Sequence, residues 1–174
     1  MMKTEWYSVW LMPDAAWGLE FQAIVDDLAS RFSTPRFQPH LTLIGGQPFD
    51  REDLKHRLAS AVAGVARFSR PILDVVTGDA FFRSFYALFG VEGGLGDLRR
   101  QVNVAVLGAD PGSFMPHVSL LYGEAEPGAK AAAAAEIRAA LVGRTVTFDR
   151  IEIVRSGDYV PIADWEAVAA FALR

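Results

Sequence analysis

Apolar and polar positions switch between two rhythms along the chain, and the switches mark its elements. Residues 4–11, T-E-W-Y-S-V-W-L, are rich in aromatics and β-formers and predict a strand. After Pro13 and Asp14 the spacing turns helical: Trp17, Phe21, Ile24, Val25 and Leu28 line one face of an amphipathic helix over 15–31. A strand over 38–44 follows, closed by Gly45–Gly46. Asp50 is placed to cap a second helix whose apolar face is Leu54, Leu58, Val62 and Val65. His56 falls on the opposite side of that helix and reads as a solvated surface histidine. Residues 71–77 and 80–90 predict two strands around a Gly78–Asp79 turn, and E-G-G-L-G-D (92–97) reads as a turn into a helix at about 95–105. A strand over 115–122 follows. Pro127–Gly128 then opens an alanine-rich helix with Ile137 and Leu141 inside and Gly143 as its stop. Residues 144–155 and 165–173 read as strands, although Trp165, Val168 and Phe171 also fit a helical period.

Within this outline one pattern occurs twice. P-H-L-T-L stands at 39–43 and P-H-V-S-L at 116–120, and they contain two of the chain's three histidines. Each pentad follows a predicted helix and precedes another. The outline is that of a duplicated lobe of strand, helix, strand and helix, with no sequence identity between the halves outside the pentads. With no linker-like stretch, residues 1–174 are expected to form a single compact body, and it is expected to be a monomer.

Composition narrows the chemistry. There is no cysteine, hence no disulfide framework, thiolate metal site or cysteine nucleophile. No secretory leader or membrane-length apolar run is visible, which predicts a soluble cytoplasmic protein. The formal net charge is −4 and no basic stripe stands out, which argues against a grip on long nucleic acid. A small phosphate ligand needs only a few well-placed donors. Residues 92–97 lack the Lys-Ser/Thr ending of a phosphate-binding loop, and no G-x-S-x-G elbow is present. Two histidines without a nearby carboxylate triad are too few for a metal site, so neither metal nor cofactor is expected.

On a strand, residues two apart share a face. His40 therefore shares one with Thr42, and His117 with Ser119, while Leu41, Leu43, Val118 and Leu120 point into apolar packing. Two imidazoles facing one substrate can remove a proton from an attacking water and give one to a leaving oxygen. Hydroxyls beside them can donate to phosphoryl oxygens without adding charge. The chemistry that fits is in-line displacement at phosphorus without a metal.

The motifs H-L-T-L and H-V-S-L resemble those of the two-histidine phosphoesterase superfamily. P-H-V-S-L-L-Y-G (116–123) is similar to the second motif of its cyclic phosphodiesterase-like branch, and F-F-R-S-F-Y-A-L-F (81–89) resembles a strand pair of that branch. The resemblance implies an α+β fold of two pseudo-symmetric lobes, each an antiparallel sheet with helices on its outer face, enclosing a central cleft. It implies hydrolysis of a small cyclic phosphate nucleotide: ADP-ribose 1″,2″-cyclic phosphate, or nucleoside 2′,3′-cyclic phosphates. His40 and His117 are then the catalytic base and acid, in an order the pentads do not fix, and Thr42 and Ser119 hold the phosphate oxygens. Tyr122 falls on the family tyrosine after the second motif and needs a strand end or a bulge to face the cleft. Arg83 is a candidate for the phosphate, and Trp6, Tyr7, Phe81 and Tyr86 for stacking on a base. Two alternatives remain open: an RNA 2′,3′-cyclic phosphodiesterase of the neighbouring branch, and a nucleotide-binding module without activity.

Overall fold

The structure is a computed structural model and describes residues 5–174. The elements run β1 (Glu5–Pro13), α1 (Ala15–Phe32), β2 (Leu41–Phe49), α2 (Arg51–Val62), β3 (Phe68–Pro71), β4 (Asp74–Ala80), β5 (Arg83–Leu88), α3 (Leu95–Leu107), β6 (His117–Leu121), α4 (Pro127–Leu141), β7 (Thr145–Arg155) and β8 (Glu166–Ala172). Helix starts follow local chemistry. Asp14 accepts a hydrogen bond from Trp17 N and Asp50 from Asp53 N, each satisfying an orphan donor of the first turn. Pro127 opens α4 where its missing N–H does no harm.

The strands form one mixed-order antiparallel sheet, β3-β7-β1-β2-β6-β5-β4, with β8 also paired to β7. Two half-sheets, β7-β1-β2 and β6-β5-β4, meet between β2 and β6, where Leu41 faces Val118 in the one registered pair among the described residues. The fold is thus the α+β, two-lobed arrangement the resemblance implied, with the lobes fused into a continuous sheet. α1 packs on β1 and β6, α3 on β2 and α4 on β4. Between helices and sheet lies the core, including Phe21, Leu28, Leu41, Leu58, Val102, Val118 and Ile151, all fully buried. Each such side chain contributes roughly 1.5–3 kcal/mol of transfer free energy. A smaller cluster, Trp10, Met12 and Val154 with Trp165 against it, lies apart from this core.

Several expected boundaries move. Thr4 lies outside the described residues. β2 begins at Leu41 rather than 38, and Gly45–Gly46 does not close it. The β1–β2 register shifts by one residue at the glycines and again near Leu43, so the glycines form a bulge inside a strand that continues to Phe49. Gly78–Asp79 likewise belongs to β4, and the chain turns at Phe81–Phe82. Residues 68–71 form β3, an additional short strand. β8 is a strand despite its helical spacing, because β7 offers it an unpaired edge.

The glycine bulge has a steric reason. A Cβ on Gly46 would lie 2.5 Å from Gly157 Cα and 2.8 Å from Ser156 O, so β2 and the segment after β7 touch backbone to backbone. Gly46→Ala is expected to destabilise the fold by about 1–3 kcal/mol, as overpacking against backbone does; a denaturant melt measures it, and an unchanged midpoint would contradict this packing.

Candidate active site

The Leu41–Val118 pair decides what faces the cleft. Extending its register one residue each way sets His40 opposite Ser119 and Thr42 opposite His117. All four side chains then leave the same face, while Leu41 and Val118 enter the core. The structure brings all four into a single cavity of about 290 Å³, together with Ser8, Trp10, Gly45, Gly46, Phe82, Arg83, Tyr122, Ser156, Gly157, Asp158 and Trp165.

Both imidazoles are held alike. His40 Nδ1 lies 2.7 Å from Gln38 O, and His117 Nδ1 lies 2.9 Å from Met115 O. A carbonyl can only accept, so in each ring Nδ1 carries the proton and Nε2 is the free nitrogen. The intervening prolines explain the repeated Pro-His. Proline biases the preceding residue to an extended conformation and fixes its own φ, which presents the carbonyl two residues back to the ring.

Their surroundings differ. His40 is 5% exposed, and Trp10 stacks on it with ring centroids 3.4 Å apart and planes 5° from parallel. Burial pushes its imidazole down to about 3, with the nearby His117 adding to the depression against the opposing bond to Gln38. His117 is less buried. Burial lowers it too, and the Arg83 guanidinium works in the same direction. Tyr86 flanks the His117 ring at 5.2 Å. Ser119 Oγ donates to Phe82 O at 2.9 Å, so its proton is engaged by the hairpin tip.

Tyr122 reaches the cavity through a bulge. Phe85 pairs with Leu121 but Tyr86 with Ser119, so Leu120 is an extra residue on β6 and the alternation flips beyond it. The ring stacks on Phe37, and burial raises its phenol well above the usual range. Arg83 lines the cavity. The other stacking candidates do not: Trp6 packs edge-on against Tyr159, Tyr7 is buried with its hydroxyl on Glu5, Phe81 lies against Phe82 and Tyr122 outside the lining, and Tyr86 stands behind His117. The aromatic wall is instead Trp10, Phe82 and Trp165, none of which the pattern singled out. Trp10 shares a face with Ser8 by alternation, but only its pairing with Thr42 shows that the face is the cleft's.

Among the described residues no group of three or more His, Asp or Glu side chains is placed to hold a metal, and no helix is long and apolar enough to cross a membrane. The turn at 92–97 leads into α3 as expected. The depression beside it contains Arg99 and Arg100, which bond to Gly112 O and Asp97. His56 is exposed.

The depressed His40 makes stability depend on pH. Unfolded, the ring protonates near 6.5; folded, only near 3. Above 6.5 neither state binds the proton. As pH falls toward 3 the unfolded state gains it and the folded state does not, so stability decreases, by on the order of a few kcal/mol across the window. Equilibrium unfolding between pH 7 and 3.5 is expected to show this slope, and His40→Gln to flatten it; equal slopes for the two proteins would remove the buried neutral ring from the account.

Known proteins resemble this chain in sequence and fold. The chain is 26% identical over 172 residues to a cyclic phosphodiesterase of Arabidopsis thaliana, covering 97% of this chain and 95% of that protein. Among solved structures, E. coli LigT complexed with 3′-AMP superposes with a TM-score of 0.63 at 16% identity, covering 98% of this chain and 99% of that one. TT0787 of Thermus thermophilus gives the same score and identity over 97% and 98%. The family model of the 2′-5′ RNA ligase superfamily matches residues 12–159, from the end of β1 through both histidine strands, and the chain belongs to that superfamily of two-histidine phosphoesterases.

Proposed function

We propose that the protein is a metal-independent cyclic phosphodiesterase that opens ribose cyclic phosphates: nucleoside 2′,3′-cyclic phosphates, ADP-ribose 1″,2″-cyclic phosphate, or both. One observation carries the reading. Two imidazoles, each tethered at Nδ1 and free at Nε2, share one cavity with a threonine and a serine hydroxyl. The name of the Arabidopsis relative supports the reaction class. The LigT structures with 3′-AMP, ATP and NADP+ support a nucleotide-sized ligand.

In this reading one imidazole Nε2 takes a proton from water as the water oxygen attacks phosphorus. The bond from phosphorus to one ring oxygen breaks, and the second imidazole protonates that oxygen. The order of roles follows from burial. His40, held neutral, is the base. His117, less buried, is better able to carry a second proton, on Nε2, and is the acid. Thr42 Oγ1 and the Ser119 hydroxyl, turned from Phe82 O, stabilise the equatorial oxygens as charge builds, and Arg83 adds its charge from the hairpin. Net charge −4 and a cavity of about 290 Å³ suit a small nucleotide in the cytoplasm better than a long RNA.

The RNA-processing alternative draws support from the superfamily's name and the LigT likeness. Salt separates the two: an RNA-tracking enzyme loses affinity steeply as salt rises, whereas turnover of a mononucleotide by this chain is expected to change little.

A panel of cyclic phosphates followed by phosphorus NMR is expected to show ring opening in the presence of EDTA. His40→Ala and His117→Ala are each expected to lose about 10²–10⁴-fold in kcat. An aryl leaving group is expected to rescue His117→Ala and not His40→Ala. Full activity of either variant on the cyclic substrates would refute the mechanism, and the opposite rescue would exchange the two roles.

A further inference from the structure

The cavity has two chemically different ends. Near His40 its wall is aromatic, made by Trp10, Phe82, Tyr122 and Trp165. Beyond Thr42 it is lined by Ser8, Gly45, Gly46, Ser156, Gly157 and Asp158, none of them cationic. Strand register keeps the ends apart. Trp10 pairs with Thr42, while Ser8 lies one same-face step further along β1, level with the glycine bulge of β2.

Two buried hydroxyls stand at this polar end: Ser8 is 4% exposed and Ser156 1%. Ser156 Oγ lies 2.8 Å from Ser8 Oγ and 3.3 Å from Val154 O. Each hydroxyl has one proton. When Ser156 donates to Ser8, the Ser8 proton is left for the cavity. When Ser156 turns to the carbonyl, Ser8 donates to Ser156 and keeps a lone pair for the cavity. The pair can therefore meet either a donor or an acceptor. Asp158, exposed at the rim, forms no ion pair or hydrogen bond among the described residues. Its carboxylate accepts hydrogen bonds and repels anions. Gly46 and Gly157 keep the spot open to backbone approach, since a side chain on Gly46 collides with the opposing chain.

We propose that Ser8, Ser156 and Asp158 form a subsite for an unesterified sugar hydroxyl of the substrate and disfavour a second phosphate at that position. This rests on the ribose cyclic phosphate reading above and narrows it to nucleoside 2′,3′-cyclic phosphates, since the 5″ oxygen of ADP-ribose 1″,2″-cyclic phosphate carries a diphosphate. With a nucleobase against the aromatic wall and the reacting phosphorus between the histidines, the group left for the polar end of a nucleoside 2′,3′-cyclic phosphate is its 5′-hydroxyl. In an RNA terminus that oxygen carries a phosphodiester. Asp158 repels it, and Arg83, the one lysine or arginine among the described lining residues, is engaged by the reacting phosphate in this reading. The subsite therefore selects free mononucleotides over oligonucleotide ends, because a site built to bond a hydroxyl discriminates strongly against analogues that lack it.

Three substrates test this: adenosine 2′,3′-cyclic phosphate, its 5′-deoxy counterpart and its 5′-phosphorylated counterpart. The wild-type kcat/KM is expected to fall about ten- to hundred-fold without the hydroxyl and further with the 5′-phosphate. Ser8→Ala is expected to bring the hydroxyl-to-deoxy ratio near one, and Asp158→Asn to raise the relative use of the 5′-phosphate. Asp158→Asn is isosteric and exposed, so it keeps the test usable if Ser8→Ala does not fold. A wild-type ratio near one, or ratios unchanged in the folded variants, overturns the subsite. If no cyclic phosphate turns over, the reaction assigned above is wrong, and calorimetry with adenosine 2′-monophosphate and its 5′-deoxy counterpart decides the subsite by itself: tighter binding with the hydroxyl upholds it, equal affinities overturn it.

Discussion

One backbone pairing, Leu41 against Val118, joins the two halves of the sheet and sets everything above it. Both side chains are fully buried, so apolar packing below the sheet fixes which residues stand above it. A slip of one residue between β2 and β6 would turn one histidine strand over relative to the other and separate the imidazoles onto opposite faces. The helices resist that slip from beneath, α1 under β6 and α3 under β2. The seam of the sheet and the site are thus one feature seen from two sides.

The pseudo-symmetry is real at the level of backbone and broken at the level of environment. Both rings hang from a carbonyl two residues back across a proline. Yet His40 lies sealed under Trp10, while His117 sits beside Tyr86 and feels Arg83. Thr42 and Ser119 diverge in the same way, since only Ser119 is engaged by the hairpin tip. Two like groups in unlike surroundings differ in proton affinity, and unequal burial gives the two rings that difference.

The repeated pentads made the face-sharing pairs, the core leucines and the two-lobed outline legible, because alternation on a strand is local physics. Helices with Asp caps were legible for the same reason. What the chain alone did not show depended on register. The bulge at Leu120 that turns Tyr122 inward, and the one at Gly45–Gly46 that lets β2 continue, are set by partner strands. The aromatic wall was missed because Trp10, Phe82 and Trp165 come from β1, a hairpin tip and the entry to β8. Each looked like ordinary strand or turn material. Trp6, Tyr7, Phe81 and Tyr86 are equally plausible by residue type as partners for a base, yet none of them reaches the lining, Trp6 packing on Tyr159 and Tyr86 on His117.

β1 lies between β2, close behind it in sequence, and β7, which pairs its residues 7–13 with 148–155. Such long-range closure slows folding, since a large loop must be ordered before the pairing returns any free energy. On the ribosome the first strand emerges with one edge satisfied early and the other waiting for almost the whole remaining chain. Trp165 arrives later still, with β8. A nascent chain therefore carries both histidines, Trp10 and Phe82 before it has Trp165, and the wall of the cavity is completed only at the entry to the final strand.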